Sequence, residues 1–445
     1  MTNHENRIEP WSRRDVGSLV ACGILVLVSR LPWVMAGPGP DPDSFRILGV
    51  AYTLAETGEY SFSRPPGYPA YEYLAATLVR FGALGTNMIS ALLSVMAFVF
   101  LALILRQSQV RHHLAGALGF AFAPVVYVNS TNTIDYVPAV AVVLAATYFL
   151  LNRRFIVAGM FLGLAVGIRI TSGAMLIPFL IWMVLDSNRP LVLRRALQLG
   201  IGALAVASFC FLPVFLKYGT SFFTFHDNAG YPSLRTILDE GVLSVWGPLG
   251  TLALAGLLLS VLLRRREIKS GLHERRVFAL VSLAATSIAL YLIVFLRLPH
   301  EPGYLVPVIP FAILVFGLIV PGAQLKWFAV AVGLSSLGPV VKDHADRVAI
   351  QNRAEEVIAR VDQLPEAAVV VAAWHLPAIE TELRSRRRSR DQYVYLAENK
   401  DDCASYEKEG RHVYFLRGMD DYNMRIHGVD LSQCNARLLD VPGKD

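Results

Sequence analysis

Long apolar runs, broken only by short charged loops, occupy the first three quarters of this chain and decide what it can become. A helix needs about 20 residues to cross a hydrocarbon core roughly 30 Å thick, and in lipid each backbone polar group must find its partner within the spanning structure. Eleven runs meet or approach that length: Gly17–Ala36, Leu84–Leu105, Leu114–Val128, Tyr136–Leu151, Phe155–Ile168, Thr171–Leu185, Ala196–Leu216, Val242–Leu263, Val277–Leu296, Tyr304–Val320 and Trp327–Val341. Only 17% of the residues are charged, against about 25% in a soluble domain, and the mean hydropathy is +0.46. The sequence therefore predicts an all-α polytopic membrane protein with about eleven transmembrane helices. The first run has the length of a secretory signal, but a Pro-Gly turn and an acidic loop follow it rather than a small-residue cleavage site, so it is expected to stay as helix one.

Charge orders the loops. Arg7, Arg13 and Arg14 precede the first run, and alternate loops carry Arg106 and Arg111, then Arg153 and Arg154, then Arg189, Arg194 and Arg195, then the cluster Arg264–Arg276, then Lys326. The intervening loops hold only Arg46, Arg64, Arg169, Lys217, Arg235 and Arg297. The positive-inside rule puts the first set and the amino terminus in the cytoplasm. The chain is expected in the cytoplasmic (inner) membrane, and an odd helix count sends the carboxyl terminus to the periplasmic or extracellular side. Cytoplasmic loops facing anionic headgroups account for the sequence pI of about 9.1, so no nucleic-acid partner is expected.

The composition turns polar beyond the last run. AAVVVAAW, QYVYLAE and RHVYFLRG are strand-like and alternate with helical stretches such as HLPAIETELRSRRRS, the pattern of a small parallel sheet. Two domains follow: a transmembrane domain over 1–341 and an extracytoplasmic α/β domain over 342–445. Cys403 and Cys434 fall in the second, where oxidising conditions permit a disulfide. The basic run Arg384–Arg390 suits an anionic ligand, or equally a solvated helix face.

The first outer loop, GPGPDPDSFRILGVAYTLAETGEYSFSRPPGYPAYEYL, is the most informative stretch. Asp43 and Ser44 stand where a helix should begin. Phe45, Leu48, Tyr52 and Ala55 then share a face, with Ile47, Ala51 and Leu54 beside it, which predicts an amphipathic helix at the membrane surface. On these residues alone, Asp43 or Ser44 serves as N-cap and Arg46 pairs with Asp43 one turn on.

Asp-x-x-Arg opening such a helix, then Glu-Thr-Gly-Glu-Tyr, then Arg-Pro-Pro-Gly-Tyr-Pro, resembles the first outer loop of the GT-C glycosyltransferases, among them the aminoarabinose transferases and protein O-mannosyltransferases. The resemblance implies an inverting hexosyl- or pentosyltransferase that moves a sugar from a polyprenyl-phosphate donor to a lipid, glycan or protein acceptor at the outer face. It makes Asp43 the base that takes the acceptor hydroxyl's proton, with Asp41 as the second choice; a sugar hydroxyl needs such a carboxylate, whereas the departing lipid phosphate needs no acid. In NSTNTIDY, Asp135 opens the fourth helix, where it resembles a family carboxylate and where Asp135 or Thr133 would equally serve as an N-cap. Arg169, at the outer end of the fifth helix, matches the family's basic residue near the lipid phosphate, and an Arg at a membrane boundary is costly without a partner. FLRLPHEPGYLVPVIPF resembles the family's basic residue followed by Tyr-x-x-Pro-x-x-Pro and brings in Arg297, His300, Glu301 and Tyr304. Arg64 adds a cation, and Arg64, Arg169 and Arg297 from separated loops suit one phosphate. The Asp41-Pro-Asp43 spacing is compatible with a divalent ion, but the resemblance implies no required metal or other cofactor. A transporter or lipid flippase, the alternative, would carry its charges mid-helix, where this sequence has few. A non-catalytic scaffold presenting the carboxyl-terminal domain is the third reading.

Overall fold

The computed structural model describes residues 12–186, 189–220, 231–265, 274–365, 367–371, 376–385, 393–394, 402–416, 435 and 437–439. The apolar runs are helical. α1 (Arg13–Arg30) starts at a reciprocal capping box between Ser12 and Asp15. α2 (Pro42–Thr57) and α3 (Pro69–Leu78) lie in the first long loop. Then follow α4 (Gly82–Gln107), the short pair α5 (His113–Ala121) and α6 (Pro124–Asn129), α7 (Tyr136–Leu151), α8 (Phe155–Ile168), α9 (Leu176–Asp186) and α10 (Arg189–Tyr218). α11 (Leu234–Leu238), α12 (Ser244–Leu263), α13 (Arg275–Arg297), α14 (Val308–Ile319), α15 (Gly322–Ser335) and α16 (Leu337–Val361) complete the helical part. Among the described residues six helical segments are long and apolar enough to cross a membrane, and Tyr136–Leu151, Phe155–Ile168 and Ile170–Asp186 are shorter apolar helices. The third expected run is divided at Phe122 and Ala123, because Pro124 starts a new helix where α5 ends.

Loops gather at two ends, as their charges require. At one end Arg153 pairs with Asp186 at 2.7 Å, Arg276 donates to the Gln107 carbonyl at 2.9 Å, and Arg106 lies 3.7 Å from Asp15. At the other, Asn87 Nδ2 donates to the carbonyls of Val34 and Gly37 at 2.9 and 2.8 Å, and Thr133 Oγ1 donates to Asn87 Oδ1 at 2.8 Å.

The helix of the first loop begins earlier than expected. Asp41 is the N-cap, its Oδ1 accepting from Asp43 N at 2.8 Å, and Pro42 is the first helical residue. Neither Asp43 nor Ser44 caps it. Gly58, at φ 72°, ends the helix in the left-handed conformation and bonds back to the Leu54 carbonyl. The buried side is also broader: Ile47, Leu48, Val50, Ala51 and Leu54 are all buried and Ala55 is exposed. The reason is that α2 packs against three separate clusters of side chains. Ile47, Leu48 and Ala51 enter the main core, Val50 and Leu54 pack with Tyr60 and Val214, and Phe45 packs against the carboxyl-terminal core.

That last core is small. α16 continues unbroken past residue 342, and its Ala354, Val357, Ile358 and Val361 pack on β1 (Ala368–Val371) and α17 (Leu376–Ser385). β2 (Tyr393–Val394), α18 (Asp402–Lys408), β3 (His412–Leu416) and β4 (Arg437–Leu439) follow. The sheet is parallel throughout in the order β2-β1-β3-β4, with Val370 opposite Tyr393 and Tyr414, and Phe415 opposite Leu438. The three expected strand runs form its first three strands; the edge strand was not expected. Cys22 and Cys210 are free thiols, whereas the side chain of Cys403, all of Cys434 and residues 386–390 of the basic run lie outside the described residues.

α8 and α10 pack backbone to backbone. A Cβ on Gly159 would come 2.1 Å from the Leu199 carbonyl oxygen, and one on Gly163 would come 2.4 Å from that of Ala203, the close backbone approach that small residues permit between helices in a membrane. Gly163→Leu is expected to abolish recovery of folded protein in detergent gel filtration, while Gly200→Ala, on α10 with open space around it, is expected to leave recovery unchanged. Equal recovery of both variants would show that the seam is not needed.

Candidate functional site

The first long loop, the loop before α7 and the end of α8 meet in an alternating chain of charges. Arg46 Nη1 is 2.9 Å from Asp43 Oδ1, and Arg64 Nε is 3.1 Å from Asp43 Oδ2. Arg64 Nη2 is 2.8 Å from Asp135 Oδ1, and Arg169 Nη1 is 2.6 Å from Asp135 Oδ2. Burial deepens from Arg46 to Asp135: side-chain exposure is 45% at Arg46, 21% at Asp43, 13% at Arg64 and 0% at Asp135, with 6% at Arg169. Asp135 stands at the N-cap of α7 but makes no side-chain cap bond; both its oxygens serve the guanidiniums. Burial opposes its ionisation, yet Arg169 and Arg64 outweigh that and hold its pKa below the usual carboxylate value.

Tyrosines frame the two buried cations. Arg64 lies 4.1 Å from the Tyr68 ring centre, and Arg169 lies 4.0 Å from that of Tyr136 and 4.6 Å from that of Tyr304, a geometry that stabilises cations away from water. The Tyr136 and Tyr304 rings meet edge-on at 5.7 Å. Gly303 lets the loop between α13 and α14 close on them, since a Cβ there would sit 2.5 Å from the Tyr136 ring. A cavity of about 10 Å³, room for one water, remains beside Arg169, lined also by Ser172 and Tyr291.

Two buried charges that the sequence reading did not single out hold this arrangement. Glu72, on α3, accepts from the Tyr60 hydroxyl at 2.5 Å and from the backbone N–H groups of Ser63 and Tyr68 at 2.8 and 3.2 Å, fixing the loop that carries Arg64. Arg30, at the end of α1, stacks on Phe122 and Tyr127 at 4.9 and 4.3 Å, donates to Ser130 Oγ at 3.2 Å, and also bonds the Ala121 carbonyl. It ties the α5–α6 break, and with it the loop leading to Asp135, to α1.

The remaining candidates come from the end of α13 and the loop after it. Arg297 and His300 are exposed at the end of α13. Glu301 turns back on its own loop and accepts from Gly303 N at 3.0 Å. Burial, then the charge of Asp41, pushes Glu301 up to about 8; burial, then the charge of Asp43, pushes Asp41 up to about 6. Among the described residues no three His, Cys, Asp or Glu side chains are grouped to hold a metal ion. In the Asp-Pro-Asp segment one oxygen of Asp41 caps the helix and both of Asp43 face guanidiniums.

Removing Asp135 should leave Arg169 buried without its anion and Arg64 paired with Asp43 alone. Asp135→Ala is expected to cost about 3–5 kcal/mol, read as a fall in detergent melting temperature; an unchanged melting temperature would show that the chain of charges is not structural. The raised carboxyls give a pH test. A folded-state pKa above the unfolded one adds stability that is complete below the unfolded value and lost as pH rises through the folded value. Melting temperature is therefore expected to fall from about pH 5 to about pH 8, and Glu301→Gln to flatten the upper part of that fall. A variant with the wild-type profile would remove Glu301 as its source.

Residues 63–216 match the sequence model of the dolichyl-phosphate-mannose-protein mannosyltransferase family, a span that contains Arg64, Asp135 and Arg169 and omits Asp43 and Glu301. No curated protein matches the chain in sequence. The crystal structure of ArnT from Cupriavidus metallidurans bound to undecaprenyl phosphate aligns with a TM-score of 0.58 at 13% identity, covering 96% of this chain and 90% of that one. The same protein in its apo state aligns with a TM-score of 0.55 at 14% identity over 83% and 84%. The Archaeoglobus fulgidus oligosaccharyltransferase, tethered with an acceptor peptide containing the NVT sequon, aligns with a TM-score of 0.47 at 14% identity over 92% and 68%. The chain is thus a multi-pass membrane protein with the fold of ArnT, and residues 63–216, within its first half, carry the sequence pattern of the mannosyltransferase family.

Proposed function

We propose that this protein is an inverting glycosyltransferase that takes a hexosyl or pentosyl group from a polyprenyl-phosphate donor and places it on a lipid, glycan or protein hydroxyl at the outer face of the cytoplasmic membrane. The observation that carries this reading is the charge chain from Arg46 to Arg169, with a partly exposed carboxylate at one end and buried cations at the other. Arg64 Nη1 supports it: this donor is buried and has no hydrogen-bond partner among the described residues, a state that costs free energy unless an acceptor such as phosphate is bound. The fold shared with a protein solved with undecaprenyl phosphate agrees with a donor of that class.

In the proposed step Asp43 accepts the proton of the acceptor hydroxyl while that oxygen bonds to the anomeric carbon on the side away from the phosphate. The bond from that carbon to the phosphate oxygen breaks, and polyprenyl phosphate leaves with the electron pair. Arg64, with Arg169 behind it, offsets the phosphate charge. No step needs a divalent metal, and the site residues act without one. The reading has all eleven apolar runs crossing, the amino terminus in the cytoplasm and the carboxyl-terminal domain outside. Transport is disfavoured because the charges collect at one end of the helices rather than midway along a path.

Asp43→Asn is expected to lower transfer by roughly 10²–10⁴-fold, the usual weight of a general base, in a protein that still folds and inserts. The readout is mass spectrometry of lipid-linked sugars and envelope glycans in cells carrying either form. Normal transfer by the variant would overturn the base assignment.

A further inference from the structure

A second cavity, of about 210 Å³, opens between α2 and α17, where the carboxyl-terminal domain meets the first loop. Phe45, Arg46, Phe62, Ser63, Glu380 and Arg384 line it. It adjoins the charge chain directly: Arg46 is the residue 2.9 Å from Asp43 Oδ1, and Ser63 precedes Arg64, whose Nε is 3.1 Å from Asp43 Oδ2. Its two walls are joined by Arg384 Nη1, which donates to the Gly49 carbonyl at 3.1 Å and to Thr53 Oγ1 at 2.9 Å. Ser63 Oγ, on the lining, is buried and has no hydrogen-bond partner among the described residues.

We infer that this cavity is the acceptor subsite and that it takes the terminal sugar of a glycan-bearing acceptor. The inference rests on the transferase reading above. Three features give the ligand class. Two phenylalanines offer apolar surface to the C–H face of a pyranose. A hydroxyl, a carboxylate and guanidiniums offer mixed donors and acceptors, as a ring of hydroxyls requires. The volume is below the ~300–1,000 Å³ of sites for drug-sized ligands, in the range of one ring. Position separates it from a donor site: one wall is the domain formed by the polar part of the chain, whereas a polyprenyl chain must lie among the apolar helices. A hydroxyl presented past Arg46 reaches Asp43, and the carboxyl-terminal domain thereby becomes a wall of the site.

Gly49 provides the test, because it lines the cavity and a Cβ there meets nothing within 4 Å. Gly49→Leu therefore projects into that space from a Cβ that meets nothing, on a helix that accepts Leu better than Gly. Full-length protein in nanodiscs is titrated with methyl α-D-mannopyranoside and methyl α-D-glucopyranoside by saturation-transfer NMR, with inorganic phosphate as a third probe, and separately with undecaprenyl phosphate. Expected are sugar binding by the wild type, weakened roughly tenfold or more in Gly49→Leu, and undecaprenyl phosphate affinity equal in the two proteins. Glu380→Gln is expected to weaken the glycosides without affecting undecaprenyl phosphate. Absence of glycoside binding by the wild type, equal binding by both proteins, or displacement of the glycosides by inorganic phosphate would each overturn the assignment. Undecaprenyl phosphate failing to bind the wild type would count against the transferase reading instead, while the glycoside arm still decides the cavity.

Discussion

A carboxylate with no exposure, held between two guanidiniums, is what one end of this molecule is built around. Ion pairs removed from water carry a desolvation cost that only close geometry and further hydrogen bonds offset, and Asp135 has both, at 2.8 Å to Arg64 and 2.6 Å to Arg169. Its two partners come from different parts of the chain, one from the loop ahead of α3 and one from the end of α8. Tyr68 from the Arg64 loop, Tyr136 next to Asp135 and Tyr304 from a third loop give the cations an environment they tolerate without water. The pairing thus fixes where loops remote in sequence must stand.

Support for that pairing reaches outward in layers. Glu72 holds the backbone on both sides of Arg64, and Arg30 holds the helix break that leads to Asp135. On the far side, Asp343 and Arg347 of α16 pair at 2.7 Å, Asn132 donates to Asp343 at 3.1 Å, and Arg347 donates to the Thr131 carbonyl at 3.1 Å. α16 then runs into the small parallel sheet, whose core Phe45 joins. The carboxyl-terminal domain is therefore fastened twice to the same end of the molecule: through α16 to the loop before Asp135, and through Arg384 to α2.

Much of this was legible from the residues, for stated physical reasons. Apolar runs became helices because a lipid-facing segment has few other ways to satisfy its backbone, and the βα alternation after residue 347 showed in the change of period. The Asp43–Arg46 pair followed from helical spacing, and its i,i+3 contact is present. What spacing could not give was who meets whom at a distance. Arg30, inside the first apolar run, and Glu72, among aromatics, were not singled out, because each acquires its meaning only from partners far away or on a refolded loop. The cap of α2 was misplaced by two residues, although Pro42 was the available signal, since proline at the first helical position marks the residue before it. β4 is only three residues long, too short for an alternation to show.

The central claim is that the buried cations beside Asp135 receive the phosphate of a lipid-linked donor. A cryo-electron microscopy structure of the full-length protein with undecaprenyl phosphate tests it most directly. The phosphate is expected within hydrogen-bonding distance of Arg64, on the side of Nη1, with Asp43 facing the same space. A phosphate found instead among Arg153, Arg276 and Gln107 in the cavity at the opposite end, with Arg64 untouched, would contradict the account.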